Sequence, residues 1–432
     1  MFEMSGKYTK AKIMIDDVEE SCIGQITNFL NHPAFTNPIV IQPDTHAGKG
    51  SVIGFTMLMT DKIIANVVGV DIGCGMTSIN IGRIGINHKE ADEIIRESIP
   101  FGTSVRHKNP YRLNDFPYKE TNEIARQFFM KYSEVLKVKI EYPLYSPDWV
   151  ESKCNQIGMN FSRFINSLGS LGSGNHFIEI GKSNITKDKW LTVHSGSRQF
   201  GKQICEYWQN IAIKNMAKQK GEELQQKIQE IKANYSSREV ETRIKQEKDI
   251  LGYGIKTSGL EWLESSDAVG YLTDMIFCQI YAKVNRDEMI RIICKNLDWK
   301  AYDKIESIHN YIDFQDFIIR KGAIRSYISE RMIIPFNMRD GMLICSGLSN
   351  PEWNYSAPHG AGRVLSRGKA KEKLDVKKFE KQMDGIFSTS VGKSTIDEAP
   401  DAYKNTELIK ELIKPTCKII DQIIPIHNLK DK

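Results

Sequence analysis

The sequence predicts a mixed fold of strands and helices in one composite domain, and three observations carry that reading. Strand-like runs crowd the first third, helical stretches dominate the middle, and no repeat or low-complexity linker separates the halves. The early runs are Ile39-Val40-Ile41 and then residues 52–59, 62–70 and 76–81, each rich in β-branched or apolar side chains and separated by loops of Asp, Gly and His. A helix is predicted over 88–98, and further helical stretches over 121–132 and 201–217. Residues 218–250 are dense in Lys, Glu, Gln and Arg, with Leu224, Ile228 and Ile231 at helical spacing, so they read as a helical hairpin inserted into the domain. A charge run of this kind is ordinarily a solvated face, and RNA contact is the secondary reading. One long amphipathic helix, or two, is predicted over 265–296.

Composition excludes several classes. At 432 residues the chain is long enough for a sizeable core, and 41% hydrophobic with 26% charged residues is ordinary for a globular protein. Lys and Arg number 59 against 54 Asp and Glu, and a net +5 permits a polyanionic partner without arguing for one. No apolar run of about 18 residues occurs, and the start lacks a signal-peptide apolar segment, so a cytoplasmic location is expected. The eight cysteines are scattered singly with no CxxC pair, which suits buried thiols in a reducing compartment. Cys74 stands apart because it lies between Gly73 and Gly75, three residues after Asp71.

The histidines carry the chemistry. Only nine occur, yet His176, His194, His309 and His359 all sit in short polar or Gly/Ser-rich segments. One such residue alone is commonly a hydrogen-bonded core histidine, but four of them with a Cys and an Asp point to a site. In Val68-Gly69-Val70-Asp71-Ile72-Gly73-Cys74-Gly75-Met76 a glycine-flanked turn presents a carboxylate and a thiol to one metal. A thiolate can bridge two cations, and sulfur with imidazole and one carboxylate suits Mn, Zn, Fe or Co better than Mg or Ca. In Leu171-Gly172-Ser173-Gly174-Asn175-His176-Phe177-Ile178-Glu179 a flexible turn runs into a strand, placing His176 and Glu179 near one strand end, on opposite faces if the alternation is strict. Val193-His194-Ser195-Gly196-Ser197-Arg198 is a strand ending at a histidine and a small-residue loop suited to an anion.

In Pro358-His359-Gly360-Ala361-Gly362-Arg363, the small residues Gly360, Ala361 and Gly362 let a phosphate approach the imidazole, and Arg363 can offset its charge. A neutral ring nitrogen attacks phosphorus competently when cations neutralise the developing charge. Asp71, Cys74, His176, His194 and His309 suffice to hold such cations, which leaves His359 free to be the nucleophile. Two look-alikes fail. Gly392-Lys393-Ser394 resembles the end of a P-loop, but Phe387 stands where its first glycine must be. Gln382-Met383-Asp384-Gly385 resembles a nucleotidyl-lysine motif with glutamine in place of the lysine.

At these segments the chain closely resembles the RtcB RNA-splicing ligases. Further matches are Gln42-Pro43-Asp44-Thr45-His46-Ala47-Gly48-Lys49-Gly50, His309-Asn310-Tyr311, Arg320-Lys321-Gly322-Ala323 and Ala402-Tyr403-Lys404, so the likeness spans nearly the whole chain. The resemblance implies an α+β fold, with mixed β-sheets flanked by helices around a central metal and nucleotide cleft, and residues 1–432 as one catalytic domain. It also implies two Mn²⁺ ions, one held by Cys74, His194 and His309 and the other by Asp71, Cys74 and His176. GTP would be met by Asn175 at its phosphates and by Phe177, Glu179, Tyr403 and Lys430 at guanine, with His359 as the guanylylated residue. The implied substrates are RNA 3′-phosphate or 2′,3′-cyclic phosphate ends and 5′-hydroxyl ends, and an archease-type activator is the implied partner. Where many members have Pro-Gly-Ser-Met-Gly, this chain has Pro335-Phe336-Asn337-Met338-Arg339-Asp340-Gly341, and Pro358 before His359 is also less usual, which places the chain in a divergent subgroup. Two rival readings use the same residues: a metal-dependent phosphatase or nuclease activating water, and a non-catalytic RNA-end-binding protein.

Overall fold

The computed structural model describes residues 1–48, 50–251 and 258–432; Lys49, within the Gln42 to Gly50 motif, lies outside the described residues. Strands and helices intermix along the chain, as an α+β fold requires. Three sheets form. The first runs Phe2–Ser5, Lys10–Ile13, Ile39–Ile41, Phe55–Leu58, Ile318–Lys321 and Asn310–Ile312 in spatial order, antiparallel except where Lys10–Ile13 meets Ile39–Ile41. Ala323–Arg325 and Ser356–Pro358 pair as a two-stranded sheet. The third is seven-stranded and antiparallel throughout, in the order Arg331–Pro335, Met342–Gly347, Cys417–Leu429, Phe177–Ser183, Lys189–Ser195, Gly75–Gly82, Asp303–Ile308.

This third sheet curls almost into a barrel. Its two edge strands come together where the Ile333 N–H donates to Ser307 Oγ at 2.9 Å. One buried cluster of Met76, Trp190, Ile305, Ile333, Met342, Ile344 and Ile423, with Phe177 against it, takes a side chain from every strand and fills the concave face. The convex face carries Ile79, Ile178, Ile180, Leu191 and Val193 and packs on Ile95 of helix His88–Ser98 and on Met289 and Ile293 of helix Ser265–Leu297. Alternation along each strand therefore sends every second residue toward the interior that holds the site.

Residues 88–98 form the expected helix with the same bounds, capped by the Asn87 side chain. The expected helices over 121–132 and 201–217 extend to Tyr118–Leu136 and Arg198–Asn234. Residues 265–296 form one helix, Ser265–Leu297. The charged stretch 218–250 spans the second half of helix Arg198–Asn234 and helix Ser237–Ile250, so the first arm of the hairpin continues a helix that starts at the site. The expected strand over 62–70 is corrected: Ala65–Val68 is one helical turn, closed by Gly69 at φ 98 donating to the Ala65 carbonyl. A short, mostly apolar run has no periodicity to separate strand from buried helix, and burial of both faces suits either. No helix among the described residues is long and apolar enough to cross a membrane.

Candidate active site

Four of the predicted ligands meet because of strand order. In the seven-stranded sheet the neighbours Phe177–Ser183, Lys189–Ser195, Gly75–Gly82 and Asp303–Ile308 alternate in direction. His176 precedes the first of them, His194 lies near the end of the second, Cys74 precedes the third and His309 follows the fourth. Start, end, start and end of alternating strands all fall on one rim. The register fixes this further, with His194 opposite both Phe177 and Met76.

Cys74 is central to the cluster. Its Sγ lies 3.4 Å from His176 Nε2 and 3.4 Å from His194 Nε2, His194 Nε2 lies 3.3 Å from His309 Nε2, and His176 Nε2 lies 2.9 Å from Asp71 Oδ2. Ligands of a single transition-metal ion about 2.0–2.3 Å away stand about 3.1–3.7 Å apart, and the three contacts among Cys74, His176, His194 and His309 fall in that range, while the His176–Asp71 contact is a hydrogen bond. Electrostatics agree with that fit. Burial, followed by the neighbouring carboxylate of Asp71, pushes the Cys74 thiol well above its ordinary value, so a nearby cation is what makes a thiolate here. Burial and then the adjacent His176 push His194 well down, and burial and then His359 do the same to His309, leaving neutral imidazoles with free lone pairs. Burial works to raise the Asp71 carboxyl, but the hydrogen bond and charge of His176 outweigh it and hold the group well below the usual carboxylate range. Among the described residues the donor atoms of Cys74, His176 and His194 all lie within 4.8 Å of one another, and Asp71 and His309 adjoin this group through His176 and His194.

Helix Ser265–Leu297 locks the loops that carry this cluster. Asn285 binds the backbone N–H groups of Gly169 and Ser170 through Oδ1, and donates to Ser195 Oγ and the Gly196 carbonyl through Nδ2. Fully buried Arg286 donates to the Gly73 and Ser195 carbonyls, to Thr77 Oγ1 and to Glu306. Gly196 is required by proximity, since a Cβ there would stand 2.1 Å from Asp71 Oδ1. Arg198, expected at an anion, instead donates to Ser170 Oγ and the Gly102 carbonyl behind the cluster.

His359 follows strand Ser356–Pro358, and its ring centroid lies 4.8 Å from that of His309. Buried Asp44 holds it from two directions: Oδ2 accepts from the His359 backbone N–H at 3.1 Å and pairs with Nδ1 at 2.6 Å. A neutral ring donating from Nδ1 presents a bare Nε2. Lys404 braces the Asp44 loop by donating to the Pro43 and Thr45 carbonyls. Gly362, at φ 74, permits the contact, because a Cβ there would meet the Asp44 carbonyl oxygen at 2.2 Å.

A cleft of about 180 Å³ opens beside these histidines. All ten residues expected at a nucleotide, Asn175, Phe177, Glu179, His359, Gly360, Ala361, Gly362, Arg363, Tyr403 and Lys430, line it. Glu179 is buried at its base, and burial, partly offset by Asn428 and Lys430, raises its carboxyl to about 8. Lys430 Nζ lies 5.5 Å from the Phe177 ring centroid and 3.1 Å from Glu398 Oε2. Glu398 escaped the sequence reading, yet it binds Tyr403 Oη at 2.7 Å and pairs with Arg363, Arg367 and Lys430. His46 also lines the cleft unforeseen; burial, countered in part by its contact with the Asp44 carbonyl, lowers it to about 4. Asp44 and His46 lie in a motif quoted from sequence without assigned roles, whereas nothing local marks Glu398. The divergent segment contributes Pro335, Phe336, Asn337, Met338 and Gly341 to the same wall.

Comparison with known proteins agrees with this geometry. Residues 25–431 match the family model described as tRNA-splicing ligase RtcB. The chain is 29% identical to the RNA-splicing ligase RtcB of Escherichia coli K12, an alignment covering 91% of this chain and 90% of that protein. It is 24% identical to RNA-splicing ligase RtcB homolog 1 of Entamoeba histolytica, over 92% of this chain and 80% of the relative. Against the tRNA-splicing ligase RtcB of Nanoarchaeum equitans it is 23% identical, over 98% and 94%.

Proposed function

Because the chain belongs to the RtcB family, we propose that it is a GTP- and Mn²⁺-dependent RNA ligase that joins RNA 3′-phosphate or 2′,3′-cyclic phosphate ends to 5′-hydroxyl ends. The observation that carries this reading is His359, paired with Asp44 at 2.6 Å, on the wall of the cleft and in ring contact with His309. A hydrolase built on the same cluster gives that arrangement no task.

In this reading His359 Nε2 attacks the α-phosphorus of GTP, forming an N–P bond while the bond to pyrophosphate breaks. The Nδ1 proton stays on the Asp44 carboxylate's hydrogen bond, which stabilises the positive ring formed during attack. An oxygen of the RNA 3′-phosphate then takes the GMP from His359 and frees the imidazole. Finally a 5′-hydroxyl oxygen attacks the RNA 3′-phosphorus, and GMP departs as the phosphodiester forms. The activation is needed because a 3′-phosphate is a poor electrophile until one of its oxygens belongs to a good leaving group. A cyclic phosphate is first hydrolysed, water adding at phosphorus as the bond to the 2′-oxygen breaks, which leaves a 3′-phosphate and a 2′-hydroxyl. Bound Mn²⁺ would supply charge that offsets anion–anion repulsion at each transfer. Cys74, His194 and His309 would hold one ion, and Asp71, Cys74 and His176 the other. Asn175, Gly360, Ala361, Gly362 and Arg363 would position phosphates, and Phe177, Glu179, Tyr403 and Lys430 the guanine.

Incubation with α-labelled GTP and Mn²⁺ tests this. Acid-labile, base-stable label on the protein, lost in His359→Ala, is the expected result. Label that survives in His359→Ala, or strand joining that proceeds equally without GTP, would overturn the reading.

A further inference from the structure

The floor of the cleft holds a second polar residue that none of the proposed contacts uses. Asn428, on strand Cys417–Leu429, lies directly opposite Glu179 of strand Phe177–Ser183 in the antiparallel register. Both residues are buried, at 1% and 3% exposure, and both line the cleft. Asn428 Nδ2 donates to Glu179 Oε2 at 2.9 Å. Two acceptors are left over: Glu179 Oε1 and Asn428 Oδ1 have no hydrogen-bond partner among the described residues. Burying an acceptor without a donor is costly, so two of them side by side on the floor of a cleft are arranged for a ligand that supplies donors.

We propose that Asn428 is a specificity-determining residue that reads the nucleobase together with Glu179. The inference rests on the GTP reading and deepens it. Guanine presents N1–H and the exocyclic 2-amino group on one edge, two adjacent donor positions, and the Glu179–Asn428 pair presents two adjacent acceptors. The proton that burial holds on Glu179 leaves as the base binds, so that Glu179 Oε1 takes N1–H and Asn428 Oδ1 takes the 2-amino group, while the bond from Nδ2 to Oε2 prevents the amide from turning its donor toward the base. Adenine has a bare N1 and no 2-amino group, so it would leave both acceptors unpaired and set its own lone pair against the carboxylate. Hypoxanthine separates the two contacts, since it keeps N1–H and lacks only the 2-amino group.

The test compares GTP with ITP as donors for covalent labelling of the full-length protein in Mn²⁺, without RNA, in wild type, Asn428→Leu and Asn428→Ala. Wild type is expected to favour GTP over ITP by about 10-fold or more in kcat/KM, carried mainly by KM. In the variants that preference is expected to collapse toward 1. The ratio is internal to each protein, so partial loss of folded material does not move it, and leucine keeps the side-chain volume should alanine open a cavity. Equal use of GTP and ITP by wild type would overturn the proposal, as would a GTP preference that survives in either variant. A wild type that takes label from neither nucleotide contradicts the GTP reading itself, and that result is distinct from a lost selectivity.

Discussion

Asp44 does at the residue scale what the cleft alone cannot: it decides which ring nitrogen of His359 is bare. Its Oδ2 meets both the backbone N–H and Nδ1 of His359, so ring orientation and tautomer are set by one buried carboxylate. Removing the carboxylate leaves a histidine free to rotate and without a partner for its charged form. Asp44→Ala is therefore expected to slow labelling of the protein by GTP about 10²–10⁴-fold at unchanged Mn²⁺ content, with Asp44→Asn, which keeps an acceptor oxygen, losing less. Labelling kinetics with metal analysis in parallel checks it. Glu179 makes a different prediction. Its carboxyl is raised by burial from an ordinary 4.5 to about 8, so between those values the folded state holds a proton that the unfolded chain has released. Stability then falls as pH rises through that window. Glu179→Gln removes the cost, so its melting temperature should exceed that of wild type by at least about 2–4 °C at pH 8–9, with the gap closing toward pH 5. Thermal melts across pH decide this, and a gap that widens toward pH 5 would show the sign to be wrong.

Among elements, helix Ser265–Leu297 does the most to assemble the site, although it contributes no ligand. Asn285 and Arg286 reach the loops bearing Asp71, Cys74, His176 and His194 through backbone carbonyls and N–H groups. Arg286→Met keeps much of the volume but leaves two carbonyls unpaired in the interior and half-buried Glu306 without its cation. A loss of about 3–5 kcal/mol in urea unfolding is expected, along with weaker metal retention. This is also where the sequence stopped being informative. The residues 265–296 read as helical from their periodicity, but an asparagine and an arginine on a buried helix face give no local sign that they brace loops some 90 to 210 positions earlier in the chain. Likewise the run 62–70 is apolar apart from Lys62 and Asn66, with no clear periodicity, and part of it forms a helical turn that Gly69 closes on Ala65.

The whole molecule places the site where its three sheets join. His309 separates strand Asp303–Ile308 of the seven-stranded sheet from Asn310–Ile312 of the six-stranded one, and Gly322 separates Ile318–Lys321 from the two-stranded pair that leads to His359. Clustered Cys, His and Asp residues flanked by glycines were legible in sequence because such local chemistry has few other uses. Asp44, Glu398 and Asn428 were not, because a carboxylate or amide in a loop or strand acquires a role only from partners far away in the chain. Since the ligands come from strands on one curled sheet and from its connecting loops, a bound ion should stabilise the fold as a unit. Excess MnCl₂ is expected to raise the melting temperature of metal-stripped protein, by about 2.7 kcal/mol of stability at 100 times Kd, and to leave Cys74→Ala nearly unmoved.

The central claim is that one imidazole, beside a thiolate-bridged cation pair, accepts GMP. Peptide mapping by mass spectrometry after incubation of the full-length protein with GTP and Mn²⁺ tests it most directly. The account predicts a mass gain of one GMP on the peptide containing His359, present with Mn²⁺ and absent with chelator. GMP attached to any other residue, or a protein left unmodified while it still joins RNA ends, would contradict it.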